Sequence, residues 1–174
     1  MASQSRLQKG AGVIVDSRGY IATNTHIILH ATRIKVTLQK GEEYYAEVKK
    51  FFPQLDLSFL KISSKSKLNE IDWADSDEVN FGDEVNTIGH SSLLKDTFSG
   101  GKIVGIAQNN SNSGPRVAIL ETDMNMYPGD SGGALFDNDG KFLGLISGKE
   151  RKSHKSVFVI PSNVIRWHFY QYLR

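Results

Sequence analysis

Short apolar runs, many of them alternating with polar residues, recur along the whole chain. Residues 13–15 (VIV) break at the turn 16–19 (DSRG) and resume at 20–23 (YIAT), a pattern that predicts a β-hairpin. Between residues 34 and 38 apolar and polar side chains alternate, as in a strand with one buried face. The remaining strand candidates are residues 45–48, 55–62, 84–88, 98–107, 116–122, 133–136, 142–147 and 156–160.

A convincing helical period occurs only near the C-terminus. Val164, Ile165, Phe169 and Tyr172 recur close to the helical repeat, and Ser162 is the candidate N-cap. Many short strands followed by one terminal helix predict an all-β fold, either a barrel or a sandwich.

The composition narrows the class of protein. The 174 residues suffice for one ordinary domain with its own core, and the chain has no cysteine. Thiol nucleophiles and thiolate zinc sites are therefore excluded. With 21 Lys and Arg against 19 Asp and Glu, the net charge of +2 is too small for a nucleic-acid-binding surface, so no nucleic-acid partner is expected. No apolar run approaches the roughly 20 residues that span a bilayer, so no membrane segment is expected.

A serine enclosed by glycines, in residues 129–133 (GDSGG), is the first candidate for chemistry. A serine hydroxyl is a weak nucleophile, which needs a base to take its proton and fixed donors for the developing oxyanion. Glycines let the backbone turn tightly enough to aim successive N–H groups into one small space. The N–H groups of Gly129 and Ser131 are the predicted donors. A glycine-rich turn between strands, without catalysis, is the alternative interpretation.

The candidate base is His26, which closely follows the first predicted hairpin. A polar residue in that position is well placed at a strand end that faces a cleft. A core histidine bonded to the backbone is the commoner fate of a lone histidine, so this second interpretation stays open for His26 alone.

The candidate orienting carboxylate is Asp56, which interrupts the apolar strand predicted over residues 55–62. A charge there is costly to bury without a partner. A neutral histidine that donates one ring N–H is a suitable partner, because the bond fixes the tautomer and leaves the other nitrogen free to accept the serine proton. The alternative is a solvated aspartate at a strand edge.

Taken together, in the order His26, Asp56, Ser131, the three motifs resemble those of the trypsin-like serine proteases, and within them the HtrA group. The segments that carry the resemblance are residues 10–15 (GAGVIV), 19–26 (GYIATNTH), 56–62 (DLSFLKI), 74–79 (ADSDEV), 82–85 (GDEV), 122–123 (TD), 129–147 (GDSGGALFDNDGKFLGLIS) and 160–163 (IPSN). The resemblance implies a serine endopeptidase that works through an acyl-enzyme and needs no metal or organic cofactor.

The same resemblance implies two six-stranded antiparallel β-barrels with a C-terminal helix and the site in the cleft between the barrels. His26 and Asp56 would come from the first barrel and Ser131 from the second. The chain is expected to form a single protease domain over residues 1–174. Its first barrel would take residues 1–66, the connector 67–82, and the second barrel and the helix 83–174.

The resemblance also assigns a pocket for the substrate residue before the cut. Asn125 and Met126 precede the serine, Ser147 and Gly148 lie on the following strand, and Val157 stands where the family usually has glycine. With no carboxylate at these positions and a branched side chain at Val157, we expect small apolar residues at the cleavage position. The stretch 147–149 is expected to add an unfolded or extended polypeptide substrate as a strand.

Several residues depart from the family pattern. Thr25 replaces the usual small alanine before the histidine, where its bulk could adjust the ring, and Asp130 replaces the asparagine common in the HtrA group. His90 opens a stretch, residues 90–94, that replaces the usual Asn-Pro-Phe. The basic residues of 149–155 are interpreted as a solvated loop, with attraction for acidic substrates as the sharper alternative.

The ends of the chain carry further expectations. It stops directly after the predicted helix, so we expect no peptide-binding PDZ module, and the short N-terminal segment makes the trimer of relatives doubtful here. The first twelve residues lack the apolar core of a secretion signal. The compartment is unassigned, with only the family's tendency towards extracytoplasmic or organellar sites. A catalytically silent or chaperone-like peptide binder on the same fold is the alternative function.

Overall fold

The computed structural model describes residues 8–89, 97–109, 114–127, 129–149 and 156–173. In these ranges the strands are β1 (Val13–Asp16), β2 (Tyr20–Asn24), β3 (Ile34–Thr37), β4 (Glu43–Phe52), β5 (Leu57–Lys61), β6 (Glu84–Gly89), β7 (Thr97–Gln108), β8 (Val117–Thr122), β9 (Ala134–Phe136), β10 (Phe142–Lys149) and β11 (Val157–Pro161). The helices are α1 (Thr25–Ile28), α2 (Ser162–Leu173) and a single 3-10 turn (Pro53–Leu55). The mostly β architecture with a terminal helix confirms the predicted fold class.

The first half of the chain forms one antiparallel sheet in the order β1-β2-β5-β4-β3. The described residues therefore give this half five strands in an open sheet, one strand fewer than the closed six-stranded barrel that we expected. β2 and β5 pair at the centre, with Ile21 opposite Leu60 and Ala22 opposite Phe59. Both faces of this pair are buried, which explains why residues 57–60 are continuously apolar or small rather than alternating.

The second half closes into a six-stranded barrel in the order β10-β11-β8-β7-β6-β9, as expected. Its interior is filled mainly by branched aliphatic side chains, which pack well on pleated surfaces. The fully buried members include Val85, Ile103, Leu120, Leu135, Leu143, Ile146, Val157 and Val159. The closed barrel has no free edge and provides a rigid base for the loops at its rim.

A second apolar core joins the two halves and the terminal helix. Phe59 of β5 and Phe142 of β10 are both fully buried in it, and Phe169 of α2 packs on Phe59 and on Tyr20. Val164, Ile165 and Phe169 are the buried face of α2, as the periodicity predicts, whereas Tyr172 is exposed. This core packs β5, which directly follows Asp56, against β10, which contains Ser147.

Ser162 differs from its expected role as a helix cap. It is the first helical residue, and its buried hydroxyl donates to the carbonyl of Ala74. The N–H of the next residue, Asn163, is bonded instead by the hydroxyl of Ser76 from the connector. Tertiary contacts thus supply the capping that the local sequence was expected to supply.

The segment between β5 and β6 contains no named strand. Trp73 makes an isolated bridge with Phe142, and Ala74 and Asp72 exchange backbone hydrogen bonds with the same residue. This description is compatible with a connector over residues 67–82, whose limits stay a prediction. Among the helices of the described ranges, none combines the length and apolar character needed to cross a membrane.

Candidate active site

His26 lies on α1, the one-turn helix that follows β2. β2 ends at Asn24 and α1 begins at Thr25, so His26 is the second residue of the helix. We had expected it at the end of a strand. The helix turns the chain out of the sheet, and the imidazole is about half exposed. This exposure contradicts the interpretation of His26 as a core histidine.

Asp56 precedes β5 instead of lying inside a strand, which corrects the prediction of one strand over residues 55–62. It follows the Pro53–Leu55 turn and has left-handed backbone angles, with φ +54°. That conformation is uncommon for a residue other than glycine, and aspartate is among the residues that tolerate it best. The carbonyl of Asp56 is held by the N–H of Thr25 at 3.0 Å and by the side-chain amide of Asn24 at 3.2 Å.

Asp56 and His26 are joined by two hydrogen bonds. Nδ1 of the imidazole lies 2.7 Å from Oδ2, and the backbone N–H of His26 donates to Oδ1 at 2.9 Å. A carboxylate only accepts hydrogen bonds, so Nδ1 carries a proton, and in the neutral form of the ring this leaves Nε2 as the acceptor. Ring orientation and tautomer are therefore both set for a base.

A third hydrogen bond to the same carboxylate comes from the second half of the molecule. The hydroxyl of Ser147 donates to Oδ2 of Asp56 at 2.7 Å. Ser147 is the extra residue where the β10–β11 register shifts between Ile146 and Gly148, and such bulges re-aim side chains. The sequence suggested Ser147 only as a substrate contact, because nothing local in it signals a partner 91 positions away.

The serine loop is built on glycines that no other residue could replace easily. Gly129 has φ +105°, and the N–H of Asp130 bonds the carbonyl of Tyr127, which closes a tight turn of the kind that demands a positive φ at its third residue. Gly132 has φ +82°, and a Cβ there would lie 2.1 Å from the carbonyl oxygen of Ala11. The chain before β1 thus passes directly against the serine loop.

Ser131 is half-buried and is anchored through its backbone. Its carbonyl accepts from the N–H of Ala11 at 2.8 Å, and its hydroxyl donates to the carbonyl of Ser147 at 3.4 Å. Within the described residues, this hydroxyl has no hydrogen bond to His26. Catalytic hydrogen bonds are often long or misaligned before substrate binds.

Gly129 and Ser131 carry the two predicted oxyanion donors, their backbone N–H groups. In the ranges that the structure covers, no acceptor is paired with the N–H of Gly129 or with that of Ser131. Their role as oxyanion donors stays a prediction.

Asp130, which stands where the HtrA group commonly has asparagine, is buried and has a hydrogen-bond partner at one carboxylate oxygen. Its Oδ2 accepts the N–H of Tyr127 at 2.7 Å, which tightens the serine loop. Its Oδ1 is also buried and has no hydrogen-bond partner among the described residues.

The predicted pocket residues lie in different environments. Val157 is fully buried in the second barrel, and Met126 packs against the same core. Asn125 is exposed, and its carbonyl accepts from the hydroxyl of Ser99 at 3.4 Å. At Gly148 an added Cβ would meet open space. The basic residues 150–155 and the stretch 90–94 lie outside the described residues.

Thr25, whose bulk was expected to adjust the ring, lies directly before His26 at the start of α1. Its side chain is buried and bonded to Leu57 and Ser58 of β5. Among the residues described, no group of three or more His, Asp or Glu side chains is arranged to hold a metal ion.

The fold and the site together define the class of protein. An open sheet carrying His26 and Asp56, packed on a closed barrel carrying Ser131, has the fold of the trypsin-like proteases. A family model described as trypsin-like peptidase domain matches residues 10–145, and the chain belongs to this family.

Relatives narrow the family. The chain is 34% identical over 161 residues to the periplasmic pH-dependent serine endoprotease DegQ of Escherichia coli. The aligned region covers 90% of this chain and 35% of that protein. It is 35% identical over 159 residues to a probable periplasmic serine protease, do/HhoA-like, of Haemophilus influenzae, covering 88% of the chain and 34% of the relative. The chain therefore spans about a third of the length of these curated relatives.

A solved structure agrees. The HtrA-type protease AlgW with decapeptide superposes with a TM-score of 0.82 and 30% sequence identity, over 94% of this chain and 51% of that one. The predicted resemblance to HtrA proteases is confirmed over most of the chain.

Proposed function

We propose that this chain is a serine endopeptidase in which His26, Asp56 and Ser131 form the catalytic triad. The observation that carries the proposal is the junction at Ser147. Its hydroxyl bonds the carboxylate that orients His26, and its carbonyl bonds the hydroxyl of Ser131. One residue thus links the nucleophile to the orienting acid, and family membership supplies the precedent.

The chemistry follows from the groups that meet there. Ser131 Oγ attacks the scissile carbonyl while Nε2 of His26 takes its proton. The negative charge that develops on the carbonyl oxygen is stabilised by the N–H groups of Gly129 and Ser131. The C–N bond then breaks as His26 returns the proton to the leaving amine. Water, activated by the same base, hydrolyses the acyl-enzyme.

The substrate in this proposal is an unfolded or extended polypeptide. β10 pairs with β11 on one side over residues 148–149, while its pairing with β9 ends at Leu145. This leaves backbone groups near Ser147 and Gly148 for an added strand. The solved structure of the HtrA-type protease AlgW contains a decapeptide, which is consistent with such a mode. Val157 and Met126 favour a small apolar residue at the cut.

A fluorophosphonate probe tests the proposal directly. We expect one covalent label per chain, located on Ser131 by peptide mass spectrometry, and none in the Ser131→Ala variant. Cleavage of a denatured protein should be lost in the same variant. A label that persists in Ser131→Ala would place the nucleophile elsewhere.

The alternative function is a catalytically silent or chaperone-like peptide binder. The observation that favours it is that, within the described residues, the hydroxyl of Ser131 has no hydrogen bond to His26. In that case the probe would leave the folded protein unlabelled, while an extended peptide would still bind and protect it from thermal unfolding.

A further inference from the structure

A buried pair of hydroxyl groups lies directly behind the proposed base and its orienting acid. Oγ1 of Thr25 is 2.7 Å from Oγ of Ser58 and 2.9 Å from the carbonyl oxygen of Leu57. Thr25 is 4% exposed and Ser58 is 0% exposed. A polar pair in so apolar a place needs a reason, because two aliphatic side chains would fill the space without a desolvation cost.

The number of hydroxyl protons determines which group donates in each hydrogen bond of the pair. A hydroxyl has one proton to donate, and Thr25 gives its proton to the carbonyl of Leu57. The hydroxyl of Ser58 must therefore be the donor to Thr25. The chain of bonds runs from Ser58 through Thr25 to Leu57, so both ends of the unit belong to β5 and its centre belongs to α1.

The pair lies where regular pairing stops. The β2–β5 ladder ends at Asn24 opposite Leu57, so His26 lies beyond the last ladder position. α1 is a single turn without a side-chain N-cap, and one isolated turn is unstable on its own. Asp56, on the other side, has a strained left-handed conformation that persists only when its surroundings hold it.

We propose that Thr25 and Ser58 are positioning residues that hold the His26-bearing turn in register with Asp56. This inference rests on the proposed function and deepens it. Thr25 is adjacent to His26, and its own N–H already bonds the carbonyl of Asp56. The hydroxyl unit adds a second tie between α1 and the start of β5, and the two ties together oppose a rotation of α1 that would break the bond between His26 and Asp56.

Paired substitutions separate positioning from stability. Thr25→Val has nearly the same shape but leaves the Ser58 hydroxyl buried without its acceptor, so we expect a melting temperature lower by about 5 °C. The double variant Thr25→Val/Ser58→Ala removes both polar groups and should recover most of that loss. Its kcat on a peptide substrate should stay about 10-fold below that of the native chain with KM unchanged, because a small misplacement of a catalytic group is costly.

Two controls define the result. Thr25→Ser keeps the hydroxyl and should restore kcat. Ser162→Ala removes a buried hydroxyl bond between α2 and the connector, and should lower the melting temperature with kcat unchanged. A double variant with native kcat, or a kcat that follows melting temperature across all variants, would overturn the positioning role.

A spectroscopic measurement keeps this inference distinct from the proposed function. Proton NMR of the native chain should detect the Nδ1 proton of His26, protected from exchange with water by Asp56. Exchange should become faster in the double variant and return to its native rate in Thr25→Ser. Absence of probe labelling in the native chain would refute the peptidase proposal. Unchanged exchange in the double variant would refute the role of Thr25 and Ser58 whether or not the chain is active.

Discussion

Ser147 and Asp56 share a hydrogen bond of 2.7 Å across the two halves of the molecule, and the oxygen that accepts it also lies 2.7 Å from Nδ1 of His26. Asp56 belongs to the open sheet, whereas Ser147 belongs to the closed barrel. The orientation of His26, the proposed base, therefore depends on how the two halves pack, and the bulge in β10 places Ser147 across their junction.

Replacing Ser147 by alanine should lower kcat about 10-fold, because the carboxylate loses one of the donors that fix its direction. The measurement is steady-state hydrolysis of a peptide, with circular dichroism to verify the fold. Ser66→Ala is the matched control, since Ser66 also donates to a carboxylate, that of Glu42, on the surface. Equal kcat values for both variants would show that Ser147 does not orient the site.

Replacing Gly132 by alanine should be severely destabilising. Its φ of +82° costs an L-residue about 1–2 kcal/mol, and the new Cβ would lie 2.1 Å from the Ala11 carbonyl oxygen. Gly140→Ala carries the same conformational cost, at φ +75°, with nothing within 4 Å of the new Cβ. Urea unfolding of both variants isolates the steric part. Similar decreases in the free energy of unfolding for the two variants would mean that the chain before β1 can move away from the new Cβ without destabilising the fold.

Replacing Asp130 by alanine should lower the free energy of unfolding by about 1–3 kcal/mol, because the N–H of Tyr127 loses its acceptor. Asp130→Asn keeps an oxygen for that N–H, but its amide nitrogen would take the place of Oδ1, which is buried without a partner among the described residues. We therefore expect the stability of the asparagine variant to lie between those of the alanine variant and the native chain. Chemical denaturation of the three proteins measures this order. An alanine variant as stable as the asparagine variant would show that the bond to Tyr127 adds no stability.

Replacing Val157 by alanine should shift the substrate preference towards larger residues at the cut. Val157 is fully buried in the barrel core against which Met126 packs, so a smaller side chain should deepen the proposed pocket. The ratio of kcat/KM for matched peptides with Phe and with Val before the scissile bond should rise. Val117→Ala, a buried change in the same barrel, should leave that ratio alone. A ratio unchanged by Val157→Ala would remove this residue from the pocket.

The surface contact between the connector and α2 should depend on pH. The side-chain amide of Asn163, and then the N–H of Asp77, hold the pKa of the Asp75 carboxyl below its ordinary value. A lowered pKa in the folded state adds stability above the unfolded pKa, and this stability is lost as the pH falls through the folded pKa.

The variant Asn163→Ala removes the largest cause of that shift. Its difference in unfolding free energy from the native chain should be present at pH 7 and should shrink as the pH falls from about 5 to 2. Asn80→Ala is the control, because Asn80 donates to the Glu78 carbonyl, which does not titrate. A difference that is the same at every pH would exclude linkage through Asp75.

The strands were predictable because each satisfies a local rule. Residues 34–38 alternate, and 34–37 form a strand with one partly buried face. Residues 57–60 are apolar or small because the β2–β5 pair is covered on both faces. The same rule misled at Asp56, since an apolar run on both sides of an aspartate looks continuous in sequence. The Pro53–Leu55 turn precedes Asp56 and β5, and its proline was the only sequence signal that the strand does not begin before Asp56.

The candidate site was predictable where its geometry requires a particular residue type. The glycines around Ser131 could be recognised, because positive φ values and close contacts require glycine at Gly129 and Gly132. The roles of Ser147, Ser58 and Ala11 could not be predicted, since serine and alanine occur in every kind of position and the partners of these residues lie far along the chain.

From its sequence alone this chain is a β-rich domain of trypsin-like type with a terminal helix and a glycine-flanked serine. Short-range sterics and the burial period of each element are written into neighbouring residues. Only the tertiary structure decided that the first sheet stays open, that Asp130 is buried, and that Asp56 receives bonds from both His26 and Ser147. Those features depend on the packing of two halves against one core. Nothing in the local sequence around Asp56 or Ser147, which are 91 positions apart, indicates that their side chains are in contact.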